Sequence, residues 1–110
     1  MDPKFTHSII IEFQYGFDSL DPLHRLGDKM AYALDQSDLG YYDGHEVAMD
    51  DSHGRYFLHG INAEQMYKEI EPFLFQVDWL QGAEVSLRFG QEDNDKVKKI
   101  EFILERNVDL

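Results

Sequence analysis

The sequence contains no cysteine among its 110 residues. This absence excludes disulfides, thiolate metal ligands and cysteine nucleophiles, and it suits a reducing compartment. The first residues do not form a secretory signal, because Asp2 is acidic and the only unbroken apolar run there is residues 9–11. No stretch approaches the roughly 20 apolar residues that cross a bilayer. We therefore expect a cytoplasmic protein with no membrane association.

Positive charge is scarce. The chain has 10 Lys and Arg against 22 Asp and Glu, a formal net charge of −12. This charge repels nucleic-acid phosphates and anionic lipids, so we expect no nucleic-acid ligand. An acidic excess serves solubility or steers the protein towards a basic partner, and composition leaves both explanations open.

Recognised catalytic and cofactor motifs are also missing. The sequence has no GxxxxGK or GxGxxG phosphate loop, no HExxH and no GxSxG. We assign no catalytic residue and no cofactor, and we lean towards a protein that is not an enzyme.

Apolar material is present in quantity, at 43% hydrophobic and 14% aromatic residues. That content excludes a disordered chain, and the length predicts a single α+β domain over residues 1–110.

Periodicity predicts the order of the elements. The side chains of residues 5–15 alternate between two faces, which predicts a strand with one buried face. Asp21 is the predicted N-cap of a helix, and Pro22 is its first helical residue. Gly27 inside this helix would allow close approach to the sheet. The helix has an apolar stripe that ends before Ser37 and consists of Leu23, Leu26, Met30, Ala33 and Leu34.

A hairpin is predicted around a turn at residues 51–54. In the expected register Asp50 lies opposite Arg55, and Glu46 lies opposite His59, so that opposite charges pair on one face. The same register pairs Met49 with Tyr56 and Val47 with Leu58 on the other face.

A second helix starts at the N-cap Asn62, where Gln65 completes a capping box. Pro72 is expected to kink or divide this helix near Glu71. Two further strands alternate over residues 83–89 and 100–104, joined by the charged loop QEDNDK.

This order predicts a ferredoxin-like split βαβ fold, βαββαβ plus a C-terminal strand. The sheet is antiparallel with two helices on one face, strands one and three are its central pair, and the fifth strand extends an edge. The other face is open.

The hairpin contains candidate metal ligands, which are His45, Asp50, Asp51 and His53. Such nitrogen and oxygen ligands bind zinc, manganese or iron. Strand alternation sends His45 and Glu46 to opposite faces, which makes it harder for the ligands to converge on one metal ion. A metal-dependent or small-ligand-binding enzyme that uses the His, Asp and Glu residues of the 43–59 hairpin is therefore only the alternative function.

His7, on the buried side of the first strand, is either a ligand or a hydrogen-bonded histidine at the edge of the core, and the second is favoured.

Acidic and aromatic residues cluster before and within the hairpin. They suit docking of a basic protein partner, whereas the alternative is a solvated face. The predicted partner-binding residues are Tyr41, Tyr42, Asp43, Glu46, Asp50 and Asp51.

Alternation places an apolar group rimmed by charge on the open sheet face. We expect a homodimer through this face, and scattered surface apolar residues are the alternative. The predicted dimer residues are Ile10, Phe57 and Ile103, with Ala48 nearby.

The later part of the chain combines a DG-x-E strand, a G-x-[ND]-A helix start, an x-P-x-L helix end and a V-x-L-R-[FY]-G strand. These motifs fall on Asp43, Gly44, Glu46, Gly60, Asn62, Ala63, Pro72, Leu74, Val85, Leu87, Arg88, Phe89 and Gly90. The pattern resembles small acidic bacterial proteins of ferredoxin-like fold and uncharacterised function and, more distantly, bacterial immunity-type proteins. The resemblance implies a binding role and transfers no catalytic residue.

Overall fold

Five strands and two helices follow one another in the predicted order in the computed structural model, which describes residues 5–90 and 98–105. A one-turn 3₁₀ helix, Asp78–Leu80, precedes the fourth strand. The elements are β1 (His7–Gln14), α1 (Asp21–Ser37), β2 (Gly40–Val47), β3 (His53–Gly60), α2 (Ala63–Phe75), β4 (Glu84–Arg88) and β5 (Lys99–Ile103). The predicted loop QEDNDK, residues 91–96, lies outside the described residues.

β1 is the middle strand of the sheet. The strand order is β2-β3-β1-β4-β5, and every neighbouring pair is antiparallel. β5 pairs with β4 and extends that edge, as the sequence predicted. The predicted α+β class, with an antiparallel sheet and two helices, is confirmed.

The core lies between the helices and one sheet face. α1 packs on β2, α2 packs on β1, β3 and β4, and the two helices contact each other. Ile9 and Ile11 of β1 are fully buried there. The five residues of the predicted α1 stripe are all buried, which confirms the helical period. The opposite face of the sheet points away from both helices and is called the open face below.

Local signals place the helix ends to within one or two residues. The Asn62 side chain accepts a hydrogen bond from the Gln65 backbone N–H at 3.0 Å, so the predicted N-cap of α2 is confirmed. α2 runs through Pro72 to Phe75 without division. The predicted N-cap at Asp21 is wrong: Leu20 occupies that position without a side-chain cap hydrogen bond, and Asp21 is the first residue of α1, its N–H donating to the Ser19 hydroxyl oxygen at 3.1 Å.

The predicted hairpin register is wrong. Glu46, not Asp50, lies opposite Arg55, and His45 lies opposite Tyr56. The chain turns earlier than expected, because the Asp51 N–H donates to the Ala48 carbonyl at 2.9 Å and Asp51 adopts a positive φ of 59°. The residues assigned to the end of a strand therefore form the turn. The slip is even, so Glu46 and Val47, which remain in β2, keep their predicted faces, whereas Met49 lies in the turn and is fully exposed.

A β-bulge at Asp43 and Gly44 interrupts the pairing of β2 with β3. Gly44 has a φ of 95°, a conformation that glycine adopts without a steric penalty. Before the bulge, Tyr42 points to the helix side, where it meets α1 at Gly27. A Cβ on Gly27 would lie 2.8 Å from the Tyr42 hydroxyl oxygen, so the predicted close approach is confirmed.

Across residues 5–90 and 98–105, no helix combines the length and the apolar character needed to cross a membrane.

Candidate functional site

Three rows of side chains cross the open face, each made of residues that lie opposite one another on neighbouring strands. The basic row is Lys99, Arg88, Ser8, His59 and Tyr41. The middle row is Glu101, Ser86, Ile10 and Phe57. The acidic row is Ile103, Glu84, Glu12, Arg55 and Glu46. The face therefore changes from basic to acidic along the strand direction.

The acidic row keeps an excess of negative charge. Arg55 Nε lies 3.2 Å from Glu12 Oε1, and both side chains are about half exposed, 52% and 48%. An exposed pair of this kind contributes about 0.2–1 kcal/mol. Glu84 lies directly opposite Glu12, which is unfavourable between like charges. Glu46 lies opposite Arg55 on the neighbouring strand β2, so this row has one arginine and the three glutamates Glu12, Glu46 and Glu84.

The structure brings together two of the three predicted dimer residues. Ile10 and Phe57 are directly opposite each other and partly buried in the middle row. Ile103 is 49% exposed and belongs to the acidic row on the edge strand β5. β4 separates it from β1, which corresponds to about 10 Å across two strand spacings. The apolar centre of the open face is therefore the Ile10–Phe57 pair.

Five of the six predicted partner-binding residues lie on the open-face side of the edge strand β2 or in the turn that follows it, namely Tyr41, Asp43, Glu46, Asp50 and Asp51. Asp43 Oδ2 is 3.0 Å from His59 Nε2, and the Tyr41 ring stacks at 5.7 Å from the same imidazole. Asp50 and Asp51 are exposed in the turn after Val47. Hydrogen bonds from the Ser52 hydroxyl and backbone N–H lower the pKa of Asp50, which stabilises its charged form.

Tyr42 lies on the other side of the sheet. Its hydroxyl shares a 2.9 Å hydrogen bond with His45 Nδ1, and its ring lies 6.0 Å from the buried ring of Tyr56. Burial, with a smaller contribution from Asp28, raises the pKa of Tyr42 to about 12. Burial also lowers the pKa of His45, and the neighbouring His24 lowers it further. Tyr42 and His45 are thus a neutral pair beneath α1, on the opposite side from Tyr41 and Asp43.

The candidate metal ligands do not converge. His45 points to the helix side, whereas His53 belongs to the open face, where its Nδ1 is 2.9 Å from the Ser52 hydroxyl. Asp50 is engaged by the same serine. Among the residues that the structure describes, no group of three or more His, Asp or Glu side chains is arranged to hold a metal ion. No observation in the hairpin favours the enzymatic alternative.

His7 connects β1 to the start of α2. Its Nδ1 accepts a hydrogen bond from the Ala63 N–H at 3.1 Å, and its ring packs edge-on against Phe89 at 5.4 Å. Burial lowers the pKa of His7, so the imidazole stays neutral and Nδ1 remains an acceptor. This geometry agrees with the hydrogen-bonded role that the sequence favoured.

A second feature, on the helix side, was not found from the sequence. A cleft of about 690 Å³ lies between α1 and the segment that follows α2. We call it the aromatic cleft, and its lining residues are Phe17, Pro22, Arg25, Leu26, Lys29, Gln76, Val77, Asp78 and Trp79. The available sequence signals were an isolated Phe17 in a loop and the single tryptophan, neither of which specifies a partner in space.

The fold and these surfaces define an α+β protein with a five-stranded antiparallel sheet, two helices on one face and a charged opposite face. Comparison with protein-family models, with curated proteins and with solved structures finds no match to the chain.

Proposed function

We propose that the protein is a non-catalytic protein-binding domain that docks a basic protein partner. Its acidic surface consists of the exposed carboxylates Glu12, Asp43, Glu46, Asp50, Asp51 and Glu84. The observation that carries the proposal is the row of Glu12, Glu46 and Glu84 from three strands at one end of the open face, with Asp50 and Asp51 in the adjoining turn and Asp43 further along β2 beside His59. Tyr41, beside His59 on the same face, adds an aromatic ring of the type enriched at protein interfaces.

Electrostatics favours this function. Six carboxylates on one side of a chain with net charge −12 raise the rate of encounter with a basic surface and disfavour acidic partners. Arg55 neutralises part of the Glu12 carboxylate at 3.2 Å, and His59 Nε2 lies 3.0 Å from the Asp43 carboxylate. Asp50 and Asp51 form no ion pair with a cation of the described residues, and both are exposed.

The proposal includes a ferredoxin-like split βαβ fold and a cytoplasmic location. The fold assignment is supported by the positions of β1 between β3 and β4 and of β3 between β1 and β2, with β5 added at an edge. The location is supported by the absence of cysteine. The resemblance to immunity-type bacterial proteins agrees with a binding role.

Neutralising three exposed carboxylates of β2 and its turn with D43N, D50N and D51N is expected to weaken capture of the partner by about 3- to 100-fold. This range corresponds to three exposed ion pairs at roughly 0.2–1 kcal/mol each. The fold should tolerate the changes, because asparagine retains the acceptor that Ser52 uses at position 50 and adopts the positive φ of position 51 readily. The measurement is quantitative mass spectrometry of proteins captured from cell extract at low and high salt.

The matched control removes the same formal charge from the outer helix surfaces, with D28N, D35N and E69Q. It should capture the partner as the native protein does. A captured protein whose binding ignores both salt and the D43N, D50N and D51N changes would contradict docking through this surface.

We also propose that a second copy of the chain binds the open face, where it competes with the basic partner for Glu12, Glu46 and Glu84. The basic and acidic rows lie on either side of Ile10 and Phe57. A two-fold axis that runs across the strands through these residues places the basic row of each copy against the acidic row of the other. An axis along the strands would oppose like charges. In the favoured arrangement Glu84 faces Arg88 of the second copy.

E84R is expected to raise the dissociation constant of the dimer by about tenfold or more, because symmetry makes each change act twice. The fold itself should not be weakened, since the change removes the unfavourable opposition of Glu84 and Glu12. The double variant E84R/R88E restores the opposite-charge contact and should recover association. Sedimentation at micromolar concentration measures the mass, which is twice the 12.9 kDa of one chain for the dimer. A native protein that sediments as a monomer refutes the proposal.

A further inference from the structure

The apolar side of the aromatic cleft is built on a rigid cluster of rings. Trp79 contacts Phe13 and Tyr15 with ring centroids 5.4 and 5.3 Å apart, both edge-on. Phe17 packs edge-on against Tyr15, with ring centroids 5.2 Å apart, and lies edge-on to Trp79 at 6.2 Å. Phe13 and Tyr15 are buried, so they hold Trp79 in place, whereas Phe17 remains 43% exposed. An exposed ring supported from behind by the core is a contact surface for a flat apolar molecule.

The opposite side of the cleft is positively charged. Arg25 and Lys29 lie one turn apart on α1, and both are exposed. Like charges at this spacing destabilise a helix slightly. Neither cation forms an ion pair with a residue of the described ranges, 5–90 and 98–105. Asp78 is the only acid in the lining, so the lining carries one excess positive charge on a strongly acidic protein.

The dimensions suit a small molecule. A volume of about 690 Å³ falls within the range of roughly 300–1,000 Å³ that holds drug-sized ligands. Leu26, Pro22 and Val77 provide further apolar lining between the rings and the cations. Arginine binds carboxylate and sulfonate oxygens through paired N–H donors, and lysine adds a point charge.

We propose that the aromatic cleft is a binding site for a small amphipathic anion, a flat apolar body carrying one carboxylate or a similar singly charged group. The rings of Phe17 and Trp79 contact the apolar body, and Arg25 and Lys29 bind the anionic group. The site lies on the helix side of the sheet and shares no residue with the open face. It therefore stands independently of the protein-binding function.

The test uses 8-anilinonaphthalene-1-sulfonate, which combines a flat aromatic body with one negative charge. Trp79 is the only tryptophan in the chain, so quenching of its emission and energy transfer to the bound dye report on this cleft directly. We expect saturable binding of one dye per chain. N-phenyl-1-naphthylamine is nearly the same molecule without the sulfonate, and it should bind at least about tenfold more weakly, the equivalent of one charge-assisted contact of about 1.4 kcal/mol.

The variant R25A/K29A is expected to reduce the affinity for the sulfonate dye to that of the neutral dye and to leave the neutral dye unaffected. The matched control K68A/K99A removes two exposed cations elsewhere and should change neither affinity. F17A, which removes one ring of the cleft, should weaken both dyes, and circular dichroism checks that each variant is folded. Three results would each overturn the proposal. The two dyes could bind with equal affinity, or the R25A/K29A variant and its control could lose equal affinity for the sulfonate dye. The third is dye binding that is unchanged in F17A.

Discussion

Replacing Tyr56 by alanine is expected to lower the free energy of unfolding by about 3–5 kcal/mol, the range for deleting a buried aromatic side chain. Tyr56 is fully buried on β3, and its ring lies 5.0 Å from Phe13 and 6.0 Å from Tyr42. The substitution therefore leaves a cavity between the sheet and α1 that neighbouring rings cannot fill without leaving their own contacts. Urea denaturation measures the loss as a lower midpoint.

The hydroxyl of Tyr56 can be tested separately with Y56F. It donates a hydrogen bond to the Leu23 carbonyl at 2.6 Å and so joins β3 to the first turn of α1. Burial raises the pKa of Tyr56, which keeps the hydroxyl protonated and able to donate. Its removal should cost about 0.5–1.5 kcal/mol.

Tyr32 provides the control for the Tyr56 variants. It lies on α1 and is 64% exposed, so Y32A should change the free energy of unfolding by no more than about 0.5 kcal/mol. If Y56A and Y32A were to shift the urea midpoint by the same amount, the position of Tyr56 in the centre of the core would be wrong.

The second large effect is expected for G60A, at about 2–4 kcal/mol from overpacking and a lost hydrogen bond. Gly60 lies opposite Gly40, where β2 and β3 pass beneath Met66 of α2. A Cβ on Gly60 would collide with the Leu39 carbonyl oxygen and with Met66 Sδ. Moving that carbonyl would break its hydrogen bond from the Ile61 N–H, which is 2.9 Å long.

The matched control for G60A is G16A. No atom lies within 4 Å of the position that a Cβ on Gly16 would take, so this substitution should leave the fold intact. It should be neutral or slightly stabilising, because alanine restricts the unfolded chain. Thermal or urea unfolding compares the two variants. A G60A protein as stable as G16A would show that the strands and α2 are not in close contact at this point.

The buried stripe of α1 and the cap of α2 were predictable because both depend on short-range geometry. The spacing of Leu23, Leu26 and Met30 is a property of the helix itself, and Asn62 and Gln65 are within one turn of each other. The strand alternation of β1 was readable for the same reason. Predicting the strand order also needs rules on which connections between strands are sterically allowed. These rules predicted β5 at an edge of the sheet, and it lies beside β4.

The hairpin register was not predictable from charge pairing. Two registers that differ by an even shift place the same side chains on the same faces, so Glu46 could satisfy the pattern opposite either His59 or Arg55. The turn geometry decided between them, through the positive φ of Asp51 and the hydrogen bonds that Ser52 gives to Asp50. Strand alternation places Tyr41 and Tyr42 on opposite faces, and the bulge at Gly44 then brings His45 to the same face as Tyr42, which their spacing in the sequence did not indicate.

The sequence by itself determined the elements, their order, the buried faces and the acidic character of the protein, because each follows from local periodicity, capping or composition. Only the tertiary structure decided which charges share a row and which rings share a cleft. Glu84 meets Glu12, and Phe17 meets Trp79, across long stretches of chain. Contacts of this kind depend on the register and the packing between distant segments, and local sequence patterns do not specify either of them.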